Sequence, residues 1–241
     1  MNRLTAQLPA LQAVMVPATL GGPVPLPAAD EVNALIRAIS RKAKFAEMHM
    51  ALLTGIDWDR FDDLGRRPAG ATVPVHLKVP LSEASLTIEH PGAAIDHVYL
   101  AFDGLTAALV NMTDTLGRLV NLTYSLGIHP MKASLLAVRD QCNPTSSLGV
   151  VLHDSQHTDW LRKVRELRGR CQHADVEEIL TTRAGALSRR GEPYVDQAYS
   201  WQSPAQSTSI VIYAQAAVQS ADSCLDATIG GILMNPVSPM R

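Results

Sequence analysis

Aromatic side chains are scarce: three Trp, five Tyr and three Phe, 5% of 241 residues. The apolar fraction is nevertheless 46%, so it rests mostly on Ala, Leu and Val. That composition suits packed helices better than a β-sandwich. Charge is thin as well. Lys, Arg, Asp and Glu make up 18%, against about 25% in an ordinary globular chain. A helical chain with so little charge tends to cover surface by self-association, and a homodimer is expected. Lys+Arg at 21 against Asp+Glu at 23 give a net charge of −2. This excludes a chain that is basic throughout, but not a local basic patch.

Cysteine is equally sparse. Cys142, Cys171 and Cys224 are widely spaced and form no CxxC, so neither a disulfide framework nor a zinc cluster is expected. No apolar run reaches the roughly 18 residues of a spanning helix, and no membrane association is expected. Leu8 to Leu20 is fairly apolar but is preceded by Gln7 and interrupted by Pro9, Gln12 and Pro17, which does not suit a signal peptide. A reduced cytoplasmic setting is the expectation. No Gly-rich phosphate loop or nucleophile elbow is present.

Proline punctuates the start. Pro9, Pro17, Pro23, Pro25 and Pro27 make residues 1–28 an extended arm, and a single mostly helical domain over 29–241 follows. Asp30 precedes a helix running to about Leu53, closed by Gly55 and the acidic cluster Asp57, Asp59, Asp62 and Asp63, which reads as a solvated turn. Val73, Val75, Leu77 and Val79 alternate with Pro74, His76 and Lys78, a period-2 strand. Leu86-Thr-Ile-Glu89 is its return partner.

After Pro91-Gly92 comes the strongest periodicity. Ile95, Val98, Phe102, Leu105, Leu109, Met112, Leu116, Leu119, Thr123 and Leu126 recur every three or four residues. A seam this long needs a partner helix, within the chain or across a dimer. Gly104 and Gly117 inside it allow close approach, at about 1 kcal/mol each relative to Ala. Asp96, Asp103, Asp114 and Asn121 punctuate the same helix, available to pair with basic groups. Met131 to Asp140 reads as a short helix, Ser146-Ser147 to Gly149 as a loop, and Ser155 or Thr158 as the cap of a helix to about Gln172. Strand-like pieces at 176–182 and 194–199 precede a last Ala-rich helix over 208–232.

His153-Asp-Ser-Gln-His157 has the spacing of the H-E-x-x-H zinc motif, with Asp for Glu. Both imidazoles reach one metal only if the segment is helical throughout. The capping residues place a helix start inside it, so no metal or cofactor is expected.

The helix from Trp160 to His173 is the most informative stretch. At 100° per residue, Trp160, Leu161, Val164, Leu167 and Cys171 form one apolar stripe. Arg168 lies at its edge, Arg165 and Gln172 lie beside it, and Arg162 and His173 lie further round. From Trp160 to Arg190 there are eight Lys/Arg and four acids, a net +4, so the rest of the chain carries −6. Such a focus suits an anionic ligand such as a phosphate backbone. It is equally a solvated basic face near a helix C-terminus, where cations are favoured anyway.

Leu167-Arg-Gly-Arg-Cys-Gln-His173 resembles the R-x4–6-H motif of the HEPN helical domain family, with four residues between Arg168 and His173. The long preceding helix and the Trp160-Leu161-Arg162 lead-in are similar too, and the likeness covers about residues 93–232. In the ribonuclease members the residue after the Arg is usually Asn, Asp or His; here it is Gly169. The resemblance implies a helical bundle with small β-hairpin additions, acting in a stress or defence setting on RNA or a nucleotide. It implies a metal-independent endoribonuclease working at a homodimer cleft, with an antitoxin-like protein as a partner. His173 would serve as general acid/base, Arg168 would hold the phosphate, and Arg162, Arg165 and Arg170 would attract substrate. The competing expectation is a non-catalytic homodimeric helical protein that binds a protein partner or a small ligand.

Overall fold

Proline sets where the first long helix begins. A computed structural model of the protein describes residues 26–56, 73–81, 84–93, 95–173, 180–181, 192, 194–201 and 207–234. Helix α1 (Leu26–Thr54) opens on Leu26-Pro27, taking in three residues that proline density assigns to the arm. Pro27 falls in the first turn, where a missing N–H breaks no helical bond. The acidic cluster at Asp57–Asp63 lies outside the described residues.

The other elements are a hairpin of β1 (Val73–Leu81) and β2 (Ala84–Ala93), then α2 (Ile95–Tyr124), α3 (Leu135–Arg139), α4 (Ser147–His153) and α5 (Ser155–His173). Short strands β3 (Leu180–Thr181), β4 (Tyr194–Val195) and β5 (Thr208–Ser209) and a 3-10 turn at Gln197–Tyr199 lead into α6 (Ile210–Met234). Most of the described residues are helical, and the fold is a mainly helical bundle with small β additions, as composition and periodicity indicate. Among the described residues, no helix is long and apolar enough to cross a membrane.

Three corrections concern helix ends and a fourth a strand. The helix expected from Met131 begins only at Leu135, capped by the Ser134 side chain, which accepts from the Ala137 N–H. The expected Ser146–Gly149 loop is instead the start of α4, because the Ser146 hydroxyl accepts from the Gly149 N–H and nucleates a turn. The cap of α5 is Asp154, whose carboxylate accepts from the Gln156 N–H at 2.9 Å, rather than Ser155 or Thr158. The strand-like piece at 194–199 is a strand for two residues only, and then turns.

The chain forms two compact units, and each of the four long helices contributes one stretch to each. The first comprises Met1–Lys44, Ala108–Arg162 and Val218–Arg241. Its core is aliphatic: Val32, Ile36, Ile39 and Ala43 of α1 at helical spacing, Leu109, Met112, Leu116 and Leu119 of α2, Leu148 and Leu152 of α4, and Leu225, Ile229 and Ile232 of α6. Gly117 of α2 lies directly against the backbone of Ser134 and Leu135, and a methyl there would overlap both. Beyond the end of α2, the Asn121 side chain clamps the returning loop, donating to the Ile128 carbonyl at 2.8 Å and accepting from the Ile128 N–H at 3.1 Å.

The second unit comprises Phe45–Ala107 and Lys163–Ala217. It holds the antiparallel hairpin, whose register pairs Leu77 with Ile88 and Val79 with Leu86 and closes at Leu81 and Ala84. In a two-stranded sheet both strands are edges, where Pro74 and Pro80 are tolerated. The remaining strands form a sheet in the order β3-β4-β5. The few aromatics gather in this unit. Phe102 packs on Tyr213 at 5.8 Å between ring centroids, and Trp201 meets the same tyrosine edge-on at 4.9 Å. Val98, Leu105, Val164 and Leu167 complete the core. The α2 seam from Val98 to Leu119 is thus buried within a single chain.

Candidate nucleic-acid interface

The basic helix α5 is anchored as its stripe predicts. Trp160, Leu161, Val164 and Leu167 are fully buried, and Cys171 is half-buried. This fixes the rotation of the helix about its axis and therefore the direction of every arginine on it. Arg165 and Arg168, three residues apart, lie half-buried on neighbouring positions of one flank, and Arg170 is exposed. Burial, followed by the Arg168 charge, pulls the Arg165 guanidinium below its ordinary 12.5. The two guanidiniums therefore sit close enough for the Arg168 charge to act on Arg165.

The predicted basic residues differ in exposure and in neighbours. Arg162 is exposed and belongs to the first unit, where it faces Asp159 at 3.7 Å one turn back. Arg165, Arg168 and Arg170 belong to the second, on the stretch of α5 that ends at His173. The His173 backbone closes that helix; its side chain lies outside the described residues. Lys163, which the sequence does not single out, ties the helix to the β4–α6 segment, donating to the Ala198 carbonyl at 2.7 Å and facing Glu166 at 3.7 Å. Gly169, next to Arg168, has open space where a side chain would stand.

Three helices also bring together groups that are far apart in sequence. The Asp103 charge of α2 acts on His49 of α1 and on Cys171 of α5. The His49 ring lies flat over Gly104, so close that a methyl there would overlap it. Imidazole, carboxylate and thiol are the components of a cysteine nucleophile, but the electrostatics run the wrong way. Burial, with Asp103 adding to it, pushes the Cys171 thiol up to about 11, so almost no thiolate forms at neutral pH. Burial lowers the His49 imidazole, against the opposing pull of Asp103. Only the tertiary fold assembles this group, and no local spacing announces it.

The His153–His157 pair does not present two imidazoles on one helix. His153 ends α4, Asp154 is extended with ψ 124°, and His157 lies in α5. Among the described residues, no group of three or more His, Cys, Asp and Glu side chains is placed to hold a metal ion. Set beside known proteins, the chain matches no family model, no curated protein and no solved structure.

Proposed function

We propose that this chain binds RNA through the Arg165–Arg170 flank of α5 and acts on the phosphodiester with Arg168 and His173, as a HEPN-like protein would. The observation that carries this reading is the pair Arg165 and Arg168: two guanidiniums half-buried side by side on a helix whose rotation is fixed by its apolar stripe. Two neighbouring guanidiniums suit a phosphate, which each can meet with charge-assisted, bidentate hydrogen bonds. Arg170 adds attraction from the exposed side. His173, five residues beyond Arg168, is the general acid/base of the proposed cleavage.

One observation favours binding without cleavage as the second reading. Gly169 supplies no polar side chain beside Arg168, and the space around it is open. The two readings separate in one experiment. The purified chain is incubated with total RNA in EDTA, beside His173→Ala and Arg168→Ala, while binding of a labelled oligoribonucleotide is followed by fluorescence anisotropy at several salt concentrations. Cleavage lost in both variants supports the nuclease. Salt-sensitive binding that Arg168→Ala weakens, with no cleavage by any form, supports binding alone. Neither binding nor cleavage overturns both.

A further inference from the structure

A second basic pair lies in the first unit, on elements that the motif at α5 does not involve. Lys42 of α1 reaches toward α2 and donates to the Asn111 carbonyl at 3.0 Å and to the Thr115 hydroxyl at 2.5 Å. Thr115 in turn donates to the same Asn111 carbonyl at 2.7 Å. These three groups hold the ammonium at a defined point between the two helices. Asn111, Thr115 and Arg118 stand at i, i+4 and i+7 of α2 and therefore share one face. Arg118 follows Lys42's anchor by a single turn on that face.

The pair is notable for what surrounds it. Both side chains are half-buried, and among the described residues neither forms an ion pair with a carboxylate. The Arg118 Nε is enclosed and has no hydrogen-bond partner there. A guanidinium offers five N–H donors and an ammonium three, of which Lys42 uses two. Burial, and then the neighbouring Arg118 charge, lower the Lys42 ammonium from its ordinary value. Buried cations are ordinarily paired; among the described residues the Lys42 ammonium meets a carbonyl and a hydroxyl and no carboxylate ion pair, which leaves a demand for negative charge.

From the convergence of Lys42 and Arg118 on one face between α1 and α2, we propose a binding site for a phosphate monoester group. The charge decides the ligand class. A carboxylate neutralises one of the two cations, whereas a phosphate monoester carries close to two negative charges at neutral pH and three acceptor oxygens. The guanidinium fork takes two of those oxygens and the remaining Lys42 N–H takes the third. Partial exposure of both side chains gives a small ligand access from solvent.

The test uses the full chain, with inorganic phosphate, glycerol 3-phosphate and acetate as probes at matched ionic strength, titrated by calorimetry and by thermal unfolding. Both phosphates are expected to bind and to raise the melting temperature, with acetate at least about tenfold weaker. Arg118→Met and Lys42→Met are each expected to weaken phosphate binding by about tenfold or more, the loss of one charge-assisted bond. Arg118→Met is also expected to melt higher than the parent in phosphate-free buffer, because it removes like-charge repulsion, so lost binding is distinguishable from lost folding. An Arg165→Met/Arg168→Met double variant should retain the effect, which separates this site from the one on α5. Phosphate binding that survives both Arg118→Met and Lys42→Met, that disappears in the α5 variant, or that acetate equals would overturn the assignment, as would no phosphate binding by the parent chain.

Discussion

At the scale of single residues, two glycines of α2 have the same propensity cost and different neighbours, and the difference is measurable. A methyl at Gly117 meets the backbone of Ser134 and Leu135, which Ser134's capping of α3 holds in place. A methyl at Gly104 meets the His49 ring, a side chain that has rotamers to yield into. Ala gains about 1 kcal/mol of helix propensity at either site, against an overpacking cost of about 1–3 kcal/mol where nothing can move. Gly117→Ala is therefore expected to lower the urea midpoint clearly, and Gly104→Ala to lower it less. Equal midpoints would show that the α2–α3 contact is looser than its geometry. The cysteines give a second prediction. Burial pushes Cys142 and Cys171 up to about 11 and Cys224 up to about 12. At pH 8 the thiolate fraction is then about a hundredfold or more below that of a free thiol near 8.5. Labelling by a disulfide reagent should be slower than for glutathione by a similar factor and should become fast in urea. Rapid labelling of the native chain at Cys171, the least enclosed of the three, would contradict its placement.

Secondary-structure elements differ in how plainly the chain announces them. The stripe Trp160, Leu161, Val164 and Leu167 and the α2 seam were legible because a helix facing a core repeats its apolar positions every three or four residues, and burial follows that repeat. The hairpin was legible from alternation, which the register of β1 with β2 matches. The start of α1 and the existence of α4 were not, because Pro27 and Ser146-Ser147 read locally as breakers. A first-turn position and a side-chain cap turn each of them into a start signal. Half of the candidate site was legible: helical angles put Arg165 and Arg168 on a half-buried flank. The pairing of Lys42 with Thr115 and its approach to Arg118 depend on how α1 meets α2. Neither is encoded by spacing along the chain. Within α5, no atom of the described residues lies within 4 Å of where a Gly169 side chain would stand. Gly169→Ala is expected to stabilise the protein by about 0.5–1 kcal/mol, read as a higher urea midpoint. A lower midpoint would mean that the glycine serves a contact in the folded chain.

For the whole molecule, a net charge of −2 describes almost nothing, because the groups that govern its response to pH are the half-buried ones. His49 and Asp222 are both shifted by burial, and their effects on stability have opposite signs. Burial lowers the His49 imidazole from 6.5, with Asp103 opposing. In the unfolded chain this histidine takes up its proton near 6.5, and in the folded chain only at lower pH. Between those two values the unfolded state binds more protons, so stability falls as the solution is acidified below about 6.5. Asp222 behaves in reverse: burial raises its carboxyl above 3.8 and Asp226 adds to the rise. The folded state then binds the extra proton, and acidification through that lower window stabilises. The two contributions oppose one another as the pH falls, and the His49 window opens at about 6.5, where its unfolded form begins to take up protons. The folding free energy from urea titrations should decrease from pH 7.5 to 5.5, with a contribution from His49 of at most about 1.4 kcal/mol per pH unit, the limit for one proton. His49→Gln keeps a polar side chain over Gly104 but has no proton to gain, so its curve should be flatter over that range. Parallel curves for the parent and His49→Gln would show that the imidazole titrates alike in the folded and unfolded states. That outcome would remove the desolvation that its seat on Gly104 imposes.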